Sequence, residues 1–465
     1  MLFNSLDFVL LLGTVLALYG FLDRRRQNYL LIVASYVFYG FWNWRFLSLV
    51  FAAGLVDYTA GRGIAAAKTP RGRRAWVVCS IAFNLGILAY FKYLGFFLES
   101  AVELLRFLGV SASVPVLEIV LPVGISFFTF QSMSYIFDVY RRKVPAVTSF
   151  PDYLLYVSFF PQLAAGPIER ADHLLVQFQR DRKVTPEWFY RGLLLLLWGL
   201  FKKVGVADNL GVYVDAVYNN SAEHGGLSLL LATYLFAFQI YCDFSGYSDM
   251  AVGMARLLGL DMMKNFKMPY FSESPQEFWR RWHVSLSTWF RDYVYIPLGG
   301  NRGSALHVVG ATMIVFLASG LWHGANWKFV VWGGLHGVYL IAQRQLGVAR
   351  SPASGARRWL RIFVTFQLVA LAWVFFRASS VGEALTSLAT IATAPGELFF
   401  SREMVNGLVC LALLVAIEGV VQPRYFDEWL VERRPATQLA FALVVLFAIV
   451  LLGQQQGGQF IYFQF

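Results

Sequence analysis

The chain has 465 residues, 58% of them hydrophobic and only 14% charged, with a formal net charge of +11. A soluble domain carries about 25% charged residues, so a soluble fold is excluded; the recurring apolar runs suit membrane helices, which need about 20 mostly apolar residues each. The positive charge lies in short clusters between those runs, a pattern of membrane topology and not of nucleic-acid binding.

The first run, "LDFVLLLGTVLALYGFL" (6–22), has no basic stretch before it, and Asp23 follows it where a cleavage site would need small residues. It reads as a retained span, not a signal peptide. Further spans are predicted near 28–43, 46–61, 75–97 and 116–138. The clusters Arg24 to Arg26, Lys68 to Arg74 and Arg141 to Lys143 then share one side. Basic loops stay cytoplasmic, so the N-terminus is expected outside. A fourth cluster holds Arg180, Arg182 and Lys183.

Beyond residue 140 the alternation fails. "DYLLYVSFFPQLAAGPIER" (152–170) is too short to cross and return, and contains Pro161, Gly166 and Pro167. It reads as a re-entrant or broken helix, tolerated at membrane depth only under a cover of protein or beside a water-filled cavity. The apolar core of 188–210 is short for a span. A clear span follows near 226–248, then a polar, aromatic stretch over 262–304, then spans near 305–320, 326–345, 358–377, 405–421 and 437–453. The total is roughly 11 to 13 membrane segments, and no internal repeat supports an inverted-repeat transporter. The expected fold is an all-α polytopic membrane protein forming one integral domain. Residues 1–115 and 346–465 supply ordinary spans; 116–345 concentrates irregular backbone and polar groups. Such groups at membrane depth mark a pathway or a site.

Six histidines are candidates for chemistry. His173, His224 and His307 lie in polar or junctional segments and read as surface or interface residues. His323, in "FLASGLWHGANWKFVVWGGLHG" (316–337), is flanked by Gly320, Trp322 and Gly324. Glycines admit a close backbone or ligand, and a buried neutral imidazole can act as a general base. A histidine that only hydrogen-bonds a neighbouring helix is the other reading. His283 lies in "FWRRWHVSLSTWFRDY", which reads as one helix with Phe278, Trp282, Ser285 and Trp289 on one side and His283 and Ser287 on another. A cavity wall and an interfacial helix both fit. His336, in "GGLHGVYL", is assigned to packing. The histidine spacings match no common zinc pattern, and Cys79, Cys242 and Cys410 lie apart in apolar surroundings, as buried small residues do.

"YCDFSGYSDMAVG" (241–253), at the end of a predicted span, gathers Asp243, Ser245, Tyr247, Ser248 and Asp249. These must face a cavity or partners such as Arg280, Arg281 or Arg291. A buried brace and direct substrate contact are both open. No GxSxG elbow is present, so a serine hydrolase gains little support.

Five pieces together resemble the membrane-bound O-acyltransferase family: "LPVGISFFTFQSMSYIFDVYR" (121–141), "FFPQLAAGPIER" (159–170), "YCDFSGYSDMAVG" (241–253), "NFKMPYFSESPQEFWRRWHVSLSTWFRDYVYIPLGGNR" (265–302) and "GLWHGANWKFVVWGGLHG" (320–337). The likeness is to the bacterial branch that O-acetylates exopolysaccharides such as alginate and cellulose, with the D-alanyl transfer proteins of teichoic acid synthesis more distant. It implies a ring of tilted helices around a thin centre, with His323 as the essential histidine and His283 in the second signature position. It implies an acyl thioester donor, here acetyl-CoA, an inner-membrane location and periplasmic acetyltransferases as partners. His323 is then a general base or a transient acetyl carrier. Trp282, Ser287, Arg281, Arg291, Trp322, Asp243, Tyr247 and Asn326 are candidates for substrate contact, and Arg280, Arg281, Lys264 and Lys267 for the donor's phosphates. A transporter, and D-alanyl transfer to teichoic acid, are the rival readings.

Overall fold

The computed structural model describes residues 1–111, 113, 119–347, 353–422, 424–454, 458 and 460–461. Among the described residues every regular element is helical. Six helices there are long and apolar enough to cross a membrane: Pro70–Phe107, Gly226–Leu257, Ala305–His323, Gly355–Arg377, Arg402–Val421 and Pro435–Leu452. The other predicted spans form helices too, but shorter or more polar ones. Leu6–Tyr19 and Ile125–Tyr140 have 14 and 16 residues. Arg24–Asn43 and Leu47–Ala66 bury Asn28, Ser35 and Asp57. Residues 116–118 of the predicted 116–138 span lie outside the described residues.

The chain divides into two compact units, residues 1–183 with 260–262 and residues 184–259 with 263–465. In the first, α1 (Leu6–Tyr19), α2 (Arg24–Asn43), α3 (Leu47–Ala66) and α4 (Pro70–Phe107) follow in order. Their starts are written in the sequence. Ser5, Asp23 and Thr69 each accept a backbone N–H of the first turn, and Pro70 stands where no N–H is needed. A polar pin joins α3 to α4: Asp57 Oδ1 accepts from Ser80 Oγ at 2.5 Å and from Asn84 Nδ2 at 2.9 Å. After α5 (Ile125–Tyr140), the predicted broken helix is α6 (Phe150–Ser158), interrupted at Phe159 and followed by the single turn Phe160–Leu163. Ser35 Oγ accepts the Phe160 N–H at 3.0 Å, and Gln131 and Gln162 both donate to the Tyr156 carbonyl. The interruption is covered by protein polar groups, as a break in an apolar setting requires.

In the second unit, α7 (Pro186–Leu200) runs through a π-helical stretch, Phe201–Ala207, into α8 (Asp208–Tyr218). The short segment expected over 188–210 is therefore part of a longer helical run. Its lysines are tolerated because Lys202 pairs with Asp249, and Lys203 with Asp208 and Asp243. For the same reason α9 (Gly226–Leu257) does not stop at 248: its polar stretch is mid-helix, with its carboxylates neutralised inside the unit. Asp243 and Asp249 thus pair with lysines and not with Arg280, Arg281 or Arg291. Then come α10 (Pro275–Arg281), α11 (Val284–Phe290), α12 (Ala305–His323), α13 (Trp327–Gln345), α14 (Gly355–Arg377), α15 (Val381–Thr393), α16 (Arg402–Val421), α17 (Phe426–Val431) and α18 (Pro435–Leu452).

Candidate active site

The predicted continuous helix around His283 is two short helices with a sharp break. Trp282 is extended at φ −105°, and His283 is left-handed at φ 42°, ψ 54°. A nearby segment enforces the break. Asn265 O accepts the Val284 N–H at 2.9 Å, Asn265 Oδ1 accepts the Ser285 N–H at 3.1 Å, and Lys267 N–H reaches the Arg281 carbonyl at 2.9 Å. These bonds replace the intrahelical ladder. A left-handed conformation is uncommon for a residue with a side chain, and such strain gathers at functional sites. It turns the His283 ring inward, where the residue is 0% exposed. Burial holds its basicity well below that of an ordinary histidine, so it is neutral at neutral pH.

His323 is the last residue of α12. Its helix meets α13 backbone to backbone: a Cβ on Gly320 would fall on the Phe329 carbonyl, and one on Gly333 on the Phe316 carbonyl. This close approach needs glycine on both helices. It sets the His323 ring among Trp332 at 4.9 Å between centroids, Trp322 at 5.0 Å and Phe376 at 5.6 Å. His283 lies 6.4 Å away, nearly perpendicular, and also contacts Trp322 at 5.8 Å. Two imidazoles 40 positions apart in sequence therefore share one buried aromatic cluster.

The other candidates fall in different places. Trp322 contacts both histidines. Trp282 is fully buried but belongs to the adjoining wall, 5.2 Å from Trp373 and stacked on Phe278. Ser287 Oγ donates to the Trp282 carbonyl at 3.2 Å, which supports the break. Asn326 caps α13, its Oδ1 accepting the Lys328 N–H at 3.0 Å. Arg281 is held by Glu277 at 2.5 Å, and the exposed Arg291 by Asp292 at 2.7 Å. Lys264 is engaged by Asp427 and Glu428. Among the described residues, no carboxylate lies within ion-pair distance of Arg280 or Lys267. Lys267 lines a recess with Tyr241 and Phe266, whose rings also pack against Trp282.

Two contributors escaped the sequence reading. Asn265 carries no signal beyond its place in the quoted "NFKMPYF". Gly458, Phe460 and Ile461 belong to the same unit: the Ile461 N–H donates to Asp243 Oδ2 at 2.7 Å, and Lys203 Nζ to the Gly458 carbonyl at 3.1 Å. Phe460 packs on Tyr247 at 4.9 Å and on Phe244 at 5.9 Å, and Phe244 in turn lies 4.6 Å from His283. Phe460 and Ile461 thus link Asp243 and Tyr247 to Phe244, which contacts His283.

Sequence comparison places this geometry in a class. The profile of MBOAT, the membrane-bound O-acyltransferase family, matches residues 123–380, which include both histidines. The chain belongs to that family and is a multi-pass membrane O-acyltransferase. Among individual relatives, it is 42% identical over 387 residues to the probable alginate O-acetylase AlgI of Pseudomonas aeruginosa, covering 82% of this chain and 73% of that protein. It is 34% identical to the peptidoglycan O-acetyltransferase of Helicobacter pylori, over 82% of this chain and 79% of that one. With the teichoic acid D-alanyltransferase of Streptococcus thermophilus it shares 28% identity, over 55% of this chain and 68% of the relative.

Proposed function

We propose that this protein takes an acetyl group from acetyl-CoA on the cytoplasmic side of the inner membrane and passes it to a hydroxyl acceptor. The acetyl group is destined for O-acetylation of an exopolysaccharide such as alginate or cellulose, through a periplasmic acetyltransferase partner. The observation that carries this reading is the meeting of His283 and His323, 6.4 Å apart in a buried aromatic cluster. The higher identity to relatives named for O-acetylation than to those named for D-alanylation favours acetyl.

An acetyl thioester is already activated, so the protein has to place the acceptor, remove its proton and support the developing oxyanion. In this mechanism His323 accepts the hydroxyl proton as the oxygen attacks the thioester carbonyl. The tetrahedral adduct collapses, the carbon–sulfur bond breaks, and the departing thiolate takes the proton back from the imidazolium. Neutral His283 donates a hydrogen bond that orients the thioester or the acceptor. A variant of the scheme has His323 carry the acetyl group briefly. Lys267 and Arg280, unclaimed by carboxylates among the described residues, are the cations best placed in charge terms to meet the donor's phosphates.

The test is release of free CoA by purified protein in lipid nanodiscs given acetyl-CoA and a hydroxyl acceptor. The unsubstituted protein should consume the thioester, and His323→Ala, present at equal level and equally folded, should not. Substantial turnover by His323→Ala would refute its role; transport without thioester consumption would favour a carrier.

A further inference from the structure

His336 lies outside the pair just described, yet its surroundings make a specific chemical demand. It is 0% exposed on α13, and its Nδ1 lies 3.3 Å from Trp279 Nε1. An indole N–H only donates, so Nδ1 must be the accepting nitrogen. The neutral ring therefore carries its proton on Nε2. That N–H donor has no acceptor among the described residues. The same holds for the indole Nε1 of Trp332, also 0% exposed. The buried hydroxyl of Tyr339 is likewise without a partner among the described residues. Trp332, His336 and Tyr339 are spaced i, i+4 and i+7, which places them on one face of α13. The rings step away from the reaction centre in turn. His323 to Trp332 is 4.9 Å, Trp332 to His336 is 5.0 Å, and His336 to Tyr339 is 5.7 Å.

Buried donors without acceptors are costly and uncommon in native proteins. Two on one helix face, beginning beside the general base, call for a ligand with lone-pair oxygens. We propose that His336 and Trp332 form a second hydrogen-bonding subsite beside His323, which holds a non-reacting oxygen of the acyl acceptor. One ring beyond His323, the subsite is displaced from the reacting carbon but within the span of a sugar or of a serine-containing peptide. It rests on the acyl-transfer reading and extends it: the acceptor must carry a second oxygen, and the subsite discriminates for it.

The experiment compares cellobiose and a serine-containing peptide with ethanol as acceptors for acetyl-CoA, using full-length protein in nanodiscs and reading thiol release. In His336→Leu, the ratio of kcat/KM for cellobiose or for the peptide to that for ethanol should fall roughly three- to tenfold, the scale of one lost neutral hydrogen bond. His336→Gln, whose amide nitrogen falls near the Nε2 position, should restore much of the ratio. Trp332→Phe keeps the ring, loses the N–H and should show the same fall. The arm that responds, sugar or peptide, identifies the source of the oxygen. Unchanged ratios in both variants, or a Gln variant as impaired as Leu, would overturn the proposal while leaving acyl transfer intact. If the unsubstituted protein consumes no thioester, both readings fail together.

Discussion

Replacing Gly320 by alanine tests whether the helix contact beneath His323 sets the reaction geometry. The new methyl group would fall on the Phe329 carbonyl, with its carbon only 3.0 Å from the Phe329 carbonyl carbon. Non-bonded carbons prefer about 3.5–4.0 Å, so α12 and α13 must part by roughly 0.5–1 Å. Overpacking of this kind costs about 1–3 kcal/mol of stability. The shift falls one helical turn before His323, and on the partner helix α13 one turn before Trp332, whose ring walls the imidazole. A misplacement of about 1 Å at a reaction centre costs on the order of 100-fold in rate. Gly334→Ala is the control, because its methyl would meet only Leu317 Cδ2 at 3.7 Å, an ordinary contact. The assays are thermal unfolding in detergent and kcat for thiol release. Gly320→Ala should lose both melting temperature and kcat, and Gly334→Ala neither. A Gly320→Ala protein with unchanged kcat would refute the claim that this contact positions His323.

Other outcomes follow from the same structure. His283→Asn should fold and keep partial turnover, because Asn tolerates a left-handed backbone, whereas His283→Val should lose about 1–3 kcal/mol to backbone strain; equal melting temperatures would contradict this. Asp427, 1% exposed, is held by Lys264 at 2.7 Å, Arg256 at 2.6 Å and Arg191 at 3.1 Å. Asp427→Asn should therefore cost about 3–5 kcal/mol, checked by chemical denaturation. Despite its burial, Lys264 and then Arg256 hold the Asp427 carboxyl well below its ordinary value. Its stabilisation is thus present above the unfolded value and lost only under strong acid. His173 behaves oppositely: Asp261 and Glu169 raise its pKa to about 10 from 6.5. Its contribution is full below 6.5 and lost as pH rises through about 10. His173→Gln should melt lower than the unsubstituted protein at pH 7, with the gap closing in a pH titration toward alkaline values.

His283 and His323 stood out through the likeness of their runs, "RRWHVS" and "LWHG", to a known family, while local context alone left a packing role open for each. The all-helical, many-spanning fold was legible from apolar run lengths. Other features depend on partners remote in the chain. Nothing in "RRWHVS" breaks a helix; the break at His283 comes from Asn265, and periodicity sees only local spacing. The apolar core of 188–210 reads as short, and the predicted span over 226–248 ends early, because Lys202, Lys203, Asp243 and Asp249 look like helix-ending charges until their pairing is known. His173, read from its polar neighbours as a surface or interface residue, lies between the carboxylates of Glu169 and Asp261, which no local pattern specifies. The approach of Phe460 to Tyr247 joins positions more than two hundred residues apart, and no local pattern announces it.

The central claim is that His283 and His323 act on one substrate. An experimental structure with a non-transferable thioether analogue of acetyl-CoA examines it most directly. The carbon that mimics the acetyl carbonyl should lie between the two rings, with an acceptor position roughly 3–3.5 Å from it and in reach of His323. Analogue density elsewhere in the protein, or imidazoles that separate and face different spaces, would contradict it.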